Sequence, residues 1–244
     1  MTQYKRAPIT EAVIEIRFEK PLPTQSIEKL NERLRDSYAS SDRVSGVEVR
    51  VNVKERRAKF DETENGYKLA SMDQTDILMI VPTSMICARL APYTRWESFR
   101  ARAEENWKQW KQITGYQKIE RLGVRYINRI DIPVGSDEKI RVEDYLNVYP
   151  QYPEPELIPA LFSYTMQIVG SFGTTDFNLI INSSVMLSPL VNHASILLDI
   201  DISSKGSVPQ KDDEIWAMFE IMREHKNYAF ESSVTDNARR LFDK

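Results

Sequence analysis

The sequence predicts an α+β fold, with one or more antiparallel sheets backed by long helices. Three observations carry this. ITEAVIEIRF (9–18) and RLGVRYINRI (121–130) alternate apolar and polar residues with the period of two that a half-buried strand requires. Segments near 96–110 and 215–222 instead repeat large apolar residues at helical spacing. Several short strand-like runs follow one another between these, as in an antiparallel sheet.

The elements follow in order. Residues 9–18 place Ala12, Ile14, Ile16 and Phe18 on one face and Glu11, Val13, Glu15 and Arg17 on the other. After Pro21 and Pro23 a helix carries Ile27, Leu30, Leu34 and Tyr38. From 46 to 91 strands return: Val47, Val49, Val51 and Val53 alternate with charged or polar residues, Gly66 marks a turn, and 77–81 and 85–90 form a hairpin around Pro82. TRWE (94–97) reads as a capping box, Thr94 accepting from the first turn and Glu97 reaching back. The helix it opens bears Trp96, Phe99, Ala103, Trp107 and Trp110 and ends at Gly115. A long strand (119–132), a Pro-broken connector (149–159) and strands near 162–170, 175–183 and 194–202 follow, then a helix from about Asp212 with a stripe of Ile215, Met218, Phe219 and Met222. In the tail Thr235 caps a last short helix, and Phe230 and Phe242 pack back onto the domain. The chain thus divides into α+β halves, 1–116 and 117–244, packed as one globular unit. Their similar element strings suggest a tandem pseudo-repeat.

Composition narrows the function classes. With 244 residues, 41% hydrophobic and 28% charged, the chain has ample core, and a net charge of −3 offers no global field for nucleic acid or membrane lipid. A nucleic-acid role is unsupported by charge: the basic RRAKF (56–60) runs at once into DETE (61–64). The N-terminal MTQYKRAPIT lacks a signal peptide's apolar run and no 18-residue apolar stretch occurs, which predicts a cytoplasmic protein with no membrane partner. A single Cys87 excludes an internal disulfide and reads as a packed thiol. The two histidines, His193 and His225, have no ligand-spaced companions. No G-x-S-x-G and no Gly-rich phosphate loop is present.

What remains is charge on strand faces. Arg121, Arg125 and Arg129 share one face of 121–130; Glu11, Glu15 and Arg17 share one in 9–18, and Asp199 and Asp201 one in 197–203. One reading is a set of solvated outer faces with cross-strand ion pairs. The other turns these faces into a cleft, where arginine forks bind an anion and acids hold a cation. A buried version pairs Arg125 and Arg129 with Glu15 and Glu11. Inward Glu and Arg of this kind resemble tunnel-shaped triphosphate-binding barrels, whose hallmark is Glu-x-Glu-x-Lys. Here Glu11, Val13, Glu15 and Arg17 depart from it at the valine and the arginine.

Three stretches, APITEAVIEIRF (7–18), RLGVRYINRIDIP (121–133) and HKNYAFESSVTD (225–236), together resemble a sporadically distributed prokaryotic family of about this length and unassigned function. The matching residues are Pro8, Glu11, Glu15, Arg17, Arg125, Asn128, Arg129, Phe230, Glu231 and Thr235. The resemblance implies a setting near mobile elements, toxin–antitoxin modules or phage-defence loci, and no catalytic residue. The sequence-based expectation is therefore a non-enzymatic binding or accessory protein that recognises a protein partner or a small anionic ligand, without a cofactor and compatible with a homodimer. Its candidate residues are Arg121, Arg125, Arg129, Glu11, Glu15, Arg17, Asp199 and Asp201. The alternative is a metal-dependent phosphohydrolase or nucleotidyl enzyme on the same faces, the one reading in which Mg²⁺ enters.

Overall fold

The computed structural model describes residues 4–52, 57–135, 140–151, 163–173 and 175–243, with 45–52 and 57–65 as backbone only. It has the α+β architecture that the sequence predicts. In chain order the elements are β1 (Ile9–Phe18), α1 (Thr24–Leu34), β2 (Ser40–Asn52), β3 (Arg57–Ala70), β4 (Asp76–Val81), β5 (Ser84–Leu90), α2 (Trp96–Thr114), β6 (Ile119–Pro133), β7 (Thr165–Ser171), β8 (Phe177–Met186), β9 (His193–Ser204), α3 (Asp212–Ser233) and α4 (Asp236–Phe242). The 9-stranded antiparallel sheet runs β2-β3-β4-β5-β1-β6-β9-β8-β7. The chain forms two compact units: Ile14–Leu90 with Thr94–Glu120, here the N-terminal unit, and Met1–Val13 with Ala91–Tyr93 and Arg121–Lys244, the C-terminal unit.

In the N-terminal unit the helical stripe of α2 forms the core with its strands. Trp96, Phe99, Ala103, Trp107 and Trp110 are all buried, and Phe18 stacks on Trp107 and Trp110 at centroid distances of 6.1 and 5.3 Å. The tryptophans are core residues, as the helical spacing predicts. Cys87 is the packed thiol expected; burial pushes its pKa up to about 12, against a weak hydrogen bond from Asn106 Nδ2 at 3.5 Å. Three local expectations are corrected. Tyr38 is buried but lies beyond α1, in extended backbone after a 3₁₀ turn at Arg35–Ser37. Gly66 sits inside β3 rather than in a turn: a Cβ there would lie 2.0 Å from the Ile80 carbonyl oxygen, so close approach of β4 demands glycine. The Thr94 capping box does not form, because Arg95 takes the N-cap position and the Thr94 hydroxyl turns to Ser98 Oγ at 3.3 Å.

In the C-terminal unit the even residues of β6 (Leu122, Val124, Tyr126, Asn128, Ile130) are buried, as are Ile196, Leu198, Ile200 and Ile202 of β9. Helix α3 packs on β9 through this apolar side and buries Ile215, Phe219 and Met222. The tail packs as the sequence predicts. Thr235 accepts from the Ala238 N–H and donates to the Asp144 carbonyl at 2.6 Å, while Phe230, Phe242 and Tyr4 form one aromatic cluster.

The strand order does not establish the tandem repeat: one half has a helix and a four-strand meander after its leading strand, and the described residues of the other show only a 3₁₀ turn and three strands. Most of the Pro-rich connector, from 152 onward, lies outside the described residues. Among those residues no helix is long and apolar enough to cross a membrane.

Candidate functional site

Alternation along β6 gives the C-terminal unit its candidate site. The even residues go under α3, so Arg121, Gly123, Arg125, Ile127, Arg129 and Asp131 are left on the opposite face. Pairing fixes what lies beside them: Arg125 is opposite Asp201, Ile127 opposite Asp199 and Asp131 opposite Ser195, and Asn182 of β8 is opposite Asp199. Gln167 of β7 completes the row opposite Asn182.

Hydrogen bonds run along this row from strand to strand. Arg125 grips Asp199 with Nε and Nη2, both at 2.8 Å. Asn182 donates to Asp199 Oδ2 at 2.9 Å, and Gln167 donates to Asn182 Oδ1 at 2.8 Å. Asp199 is only 2% exposed, so these donors replace the water that its carboxylate loses. The hydrogen bonds to Asp199 are the main cause of a raised Arg125 pKa, and Asp201 and Glu11 add longer-range attraction. On either side Arg121 meets Asp201 at 3.3 Å, and Arg129 grips Asp131 at 3.0 Å, to which Ser195 also donates at 2.5 Å. Gly123 makes room for Arg121, since a Cβ there would lie 2.8 Å from Arg121 Nη1.

The predicted residues therefore meet, but in other pairs than the buried version expects. Arg125 pairs with Asp199 and not Glu15; Arg129 pairs with Asp131 and not Glu11. Glu15, in the N-terminal unit, accepts from Arg17 at 2.9 Å and from Ser84 at 3.2 Å. For Arg129 the nearer acid is two residues along its own strand; for Arg125 the physical reason is register. β6 presents its arginines directly or diagonally to β9 acids, within the reach of adjacent side chains. The cross-strand ion pairs expected of an outer face are present between β6 and β9. Asp131, Asn182, Gln167 and Ser195 escaped the sequence reading, although Asn178, Ile180, Asn182 and Ser184 recur with the strand period. No group of three or more His, Cys, Asp or Glu placed to hold a metal ion occurs among the described residues. A shallow pocket of about 80 Å³ in the N-terminal unit, lined by Leu22, Ile27, Arg43 and Tyr67 among others, contains none of the predicted site residues.

On the other side of β6 lies a second cation that the sequence reading missed. Lys226 of α3 is 7% exposed and holds Nζ 3.7 Å from the centroid of the Tyr126 ring. Burial pushes its pKa down to about 7, helped by Arg223 and opposed by Glu231. The signal was available, because Lys226 falls four residues after Met222 and seven after Phe219, in line with the apolar stripe. The Tyr126 hydroxyl shares a 2.9 Å hydrogen bond with Tyr93, and burial followed by that neighbour raises its pKa well above the usual value. No family model matches the chain, and no curated protein matches it.

Proposed function

We propose that the chain is a non-enzymatic binding protein that docks a protein partner on the open face of β6, β9, β8 and β7. The observation that supports this reading is the state of the arginines. Arg125 and Arg129 each spend their fork on a carboxylate of the same sheet, and Arg121 reaches Asp201. A small anion would have to displace those carboxylates, whereas a protein surface can lie over the pairs as they stand.

Two further features favour a protein partner. The outward positions of these four strands include no Lys and no Glu, the long mobile chains that are costly to immobilise. They interleave Ile127, Leu197, Ile180 and Val169 with the polar rows, and the Arg125 side chain remains 47% exposed above its buried acid. Such a face is ordered before docking, so association loses little side-chain freedom. The arrangement does not favour the phosphohydrolase alternative, because Asp199 and Asp201 each turn to an arginine.

The test is capture from the native cells with the tagged chain. Ser184→Arg adds a new cation to the face, opposite Thr165 and Leu197, and replaces no member of its pairs. A partner recovered with the native chain and lost with Ser184→Arg, at unchanged melting temperature, is the expected result. Saturable binding of tripolyphosphate that is abolished by Arg125→Lys would overturn the reading in favour of an anion site.

A further inference from the structure

Strand β7 ends the sheet, and among the described residues no strand lies beyond it. Its sequence, TMQIVGS, has no charge and no proline, and every residue but Met166 is exposed. Edge strands usually carry a charge, a proline or a bulge that blocks further pairing. The other edge, β2, has Asp42, Arg43, Glu48 and Arg50 in its sequence; β7 has no such device.

The ladder determines which backbone groups face outward. The Val185 N–H bonds the Tyr164 carbonyl, and the Phe172 N–H bonds the Phe177 carbonyl. Even-numbered residues of β7 therefore point their backbone groups at β8. Thr165, Gln167, Val169 and Ser171 point theirs away from the sheet.

We propose that β7 is a homodimerisation edge that pairs antiparallel with β7 of a second copy about a two-fold axis at Ile168. This register makes each outward residue meet another outward residue. Gln167 exchanges backbone hydrogen bonds with Val169 of the copy, and Thr165 with Ser171. Ile168, 42% exposed, meets its own counterpart, and Val169, 67% exposed, covers the stem of Gln167. A second copy is favoured over a foreign strand by electrostatics. Pairing about this axis sets Ile168 against itself and would hold any charge near the axis close to its like; the strand carries none. Across the axis Thr165 meets Ser171, hydroxyl opposite hydroxyl, and Ile168 meets its own counterpart.

Sedimentation of the full chain over the micromolar range tests this. The expected native result is a concentration-dependent dimer. Ile168→Lys places two ammonium groups across the axis and is expected to give a monomer, as is Ile168→Glu. Mixing the two variants is expected to restore a dimer, because opposite charges then face each other. Val169→Pro deletes an outward N–H while leaving the β8 ladder intact, and edge strands tolerate proline there, so it is expected to be monomeric with its circular dichroism unchanged. A native chain that remains monomeric throughout would overturn the proposal and leave the edge to a foreign strand. A native dimer that survives Ile168→Lys and Val169→Pro would overturn it too, by placing the interface elsewhere.

Discussion

Arg125 and Lys226 stand on opposite sides of one strand, and their environments treat charge in opposite ways. Arg125 is half-exposed yet tied to the buried Asp199, and its pKa is raised. Lys226 is almost wholly buried over the Tyr126 ring, and its pKa falls to about 7. Pairing decides the first, and loss of water decides the second. The difference teaches that the state of a cation depends less on its strand than on whether a carboxylate comes with it.

The largest expected effect breaks the paired side. Arg125→Ala leaves the Asp199 carboxylate buried with Asn182 as its remaining strand-to-strand donor. An exposed pair contributes about 0–1 kcal/mol and breaking a fully buried one costs about 3–5. Because the acid is buried and the arginine is not, the loss should fall at about 2–3 kcal/mol. Adding Asp199→Asn removes the stranded charge and should recover part of it. Urea titrations of the single and double variants measure both, and a loss under about 1 kcal/mol would show that water reaches Asp199.

The unpaired side gives the opposite sign. In the folded chain Lys226 releases its proton near pH 7, and in the unfolded chain near the ordinary 10.5. Between those values the unfolded chain holds the extra proton, so stability rises with pH across that window. At neutral pH the burial penalty is about 4 kcal/mol, and a desolvated cation over an aromatic face returns about 2. Lys226→Met should therefore stabilise the chain by roughly 2 kcal/mol at pH 7 and flatten the slope from 7 to 10. Melting curves across that range decide it; an unchanged slope would mean that the amine reaches solvent.

The same pair of cations marks what the sequence can reveal. Alternation placed Arg121, Arg125 and Arg129 on one face with certainty, because a period of two leaves no other choice. It could not name their partners, since register depends on β1 and β9 meeting β6 from opposite sides, a fact of topology rather than of spacing. The acids of β1 and β9 are equally good partners on paper; the fold gives Asp199 to Arg125 and leaves Glu15 with Arg17. Lys226 was hidden for the opposite reason. Its place in the stripe was plain, but a lysine there reads as a stem lying along the core with its head in water. Gly66 and the Thr94 box failed locally, where a neighbouring strand and the extended Arg95 overrode turn and capping preferences.

A smaller effect sharpens the comparison by removing the cross-strand partner. Arg17 pairs with Glu15 two residues away on its own strand and is 46% exposed, close to Arg125. Its acid is 13% exposed and keeps Ser84 as a donor. Arg17→Ala should cost about 0.5–1 kcal/mol, well below Arg125→Ala. Equal losses at the two sites would show that neither the burial of the acid nor the bidentate grip adds to stability.

The smallest expected effect comes from Gly123, which gives Arg121 its path to Asp201. Gly123→Ala inserts a Cβ 2.8 Å from the guanidinium nitrogen, and the flexible arginine end is what gives way. Displacing a partly exposed pair costs about 0–1 kcal/mol, while alanine in place of a strand glycine gains roughly 0.5–1 through lost unfolded-state freedom. The two offset, so overall stability should hardly move. The informative quantity is the coupling: Arg121→Ala should have its own cost in the native background and almost none beside Gly123→Ala. If Arg121→Ala costs the same in both backgrounds, Gly123 does not position Arg121, and the open face loses one of its three ordered arginines as an argument for docking.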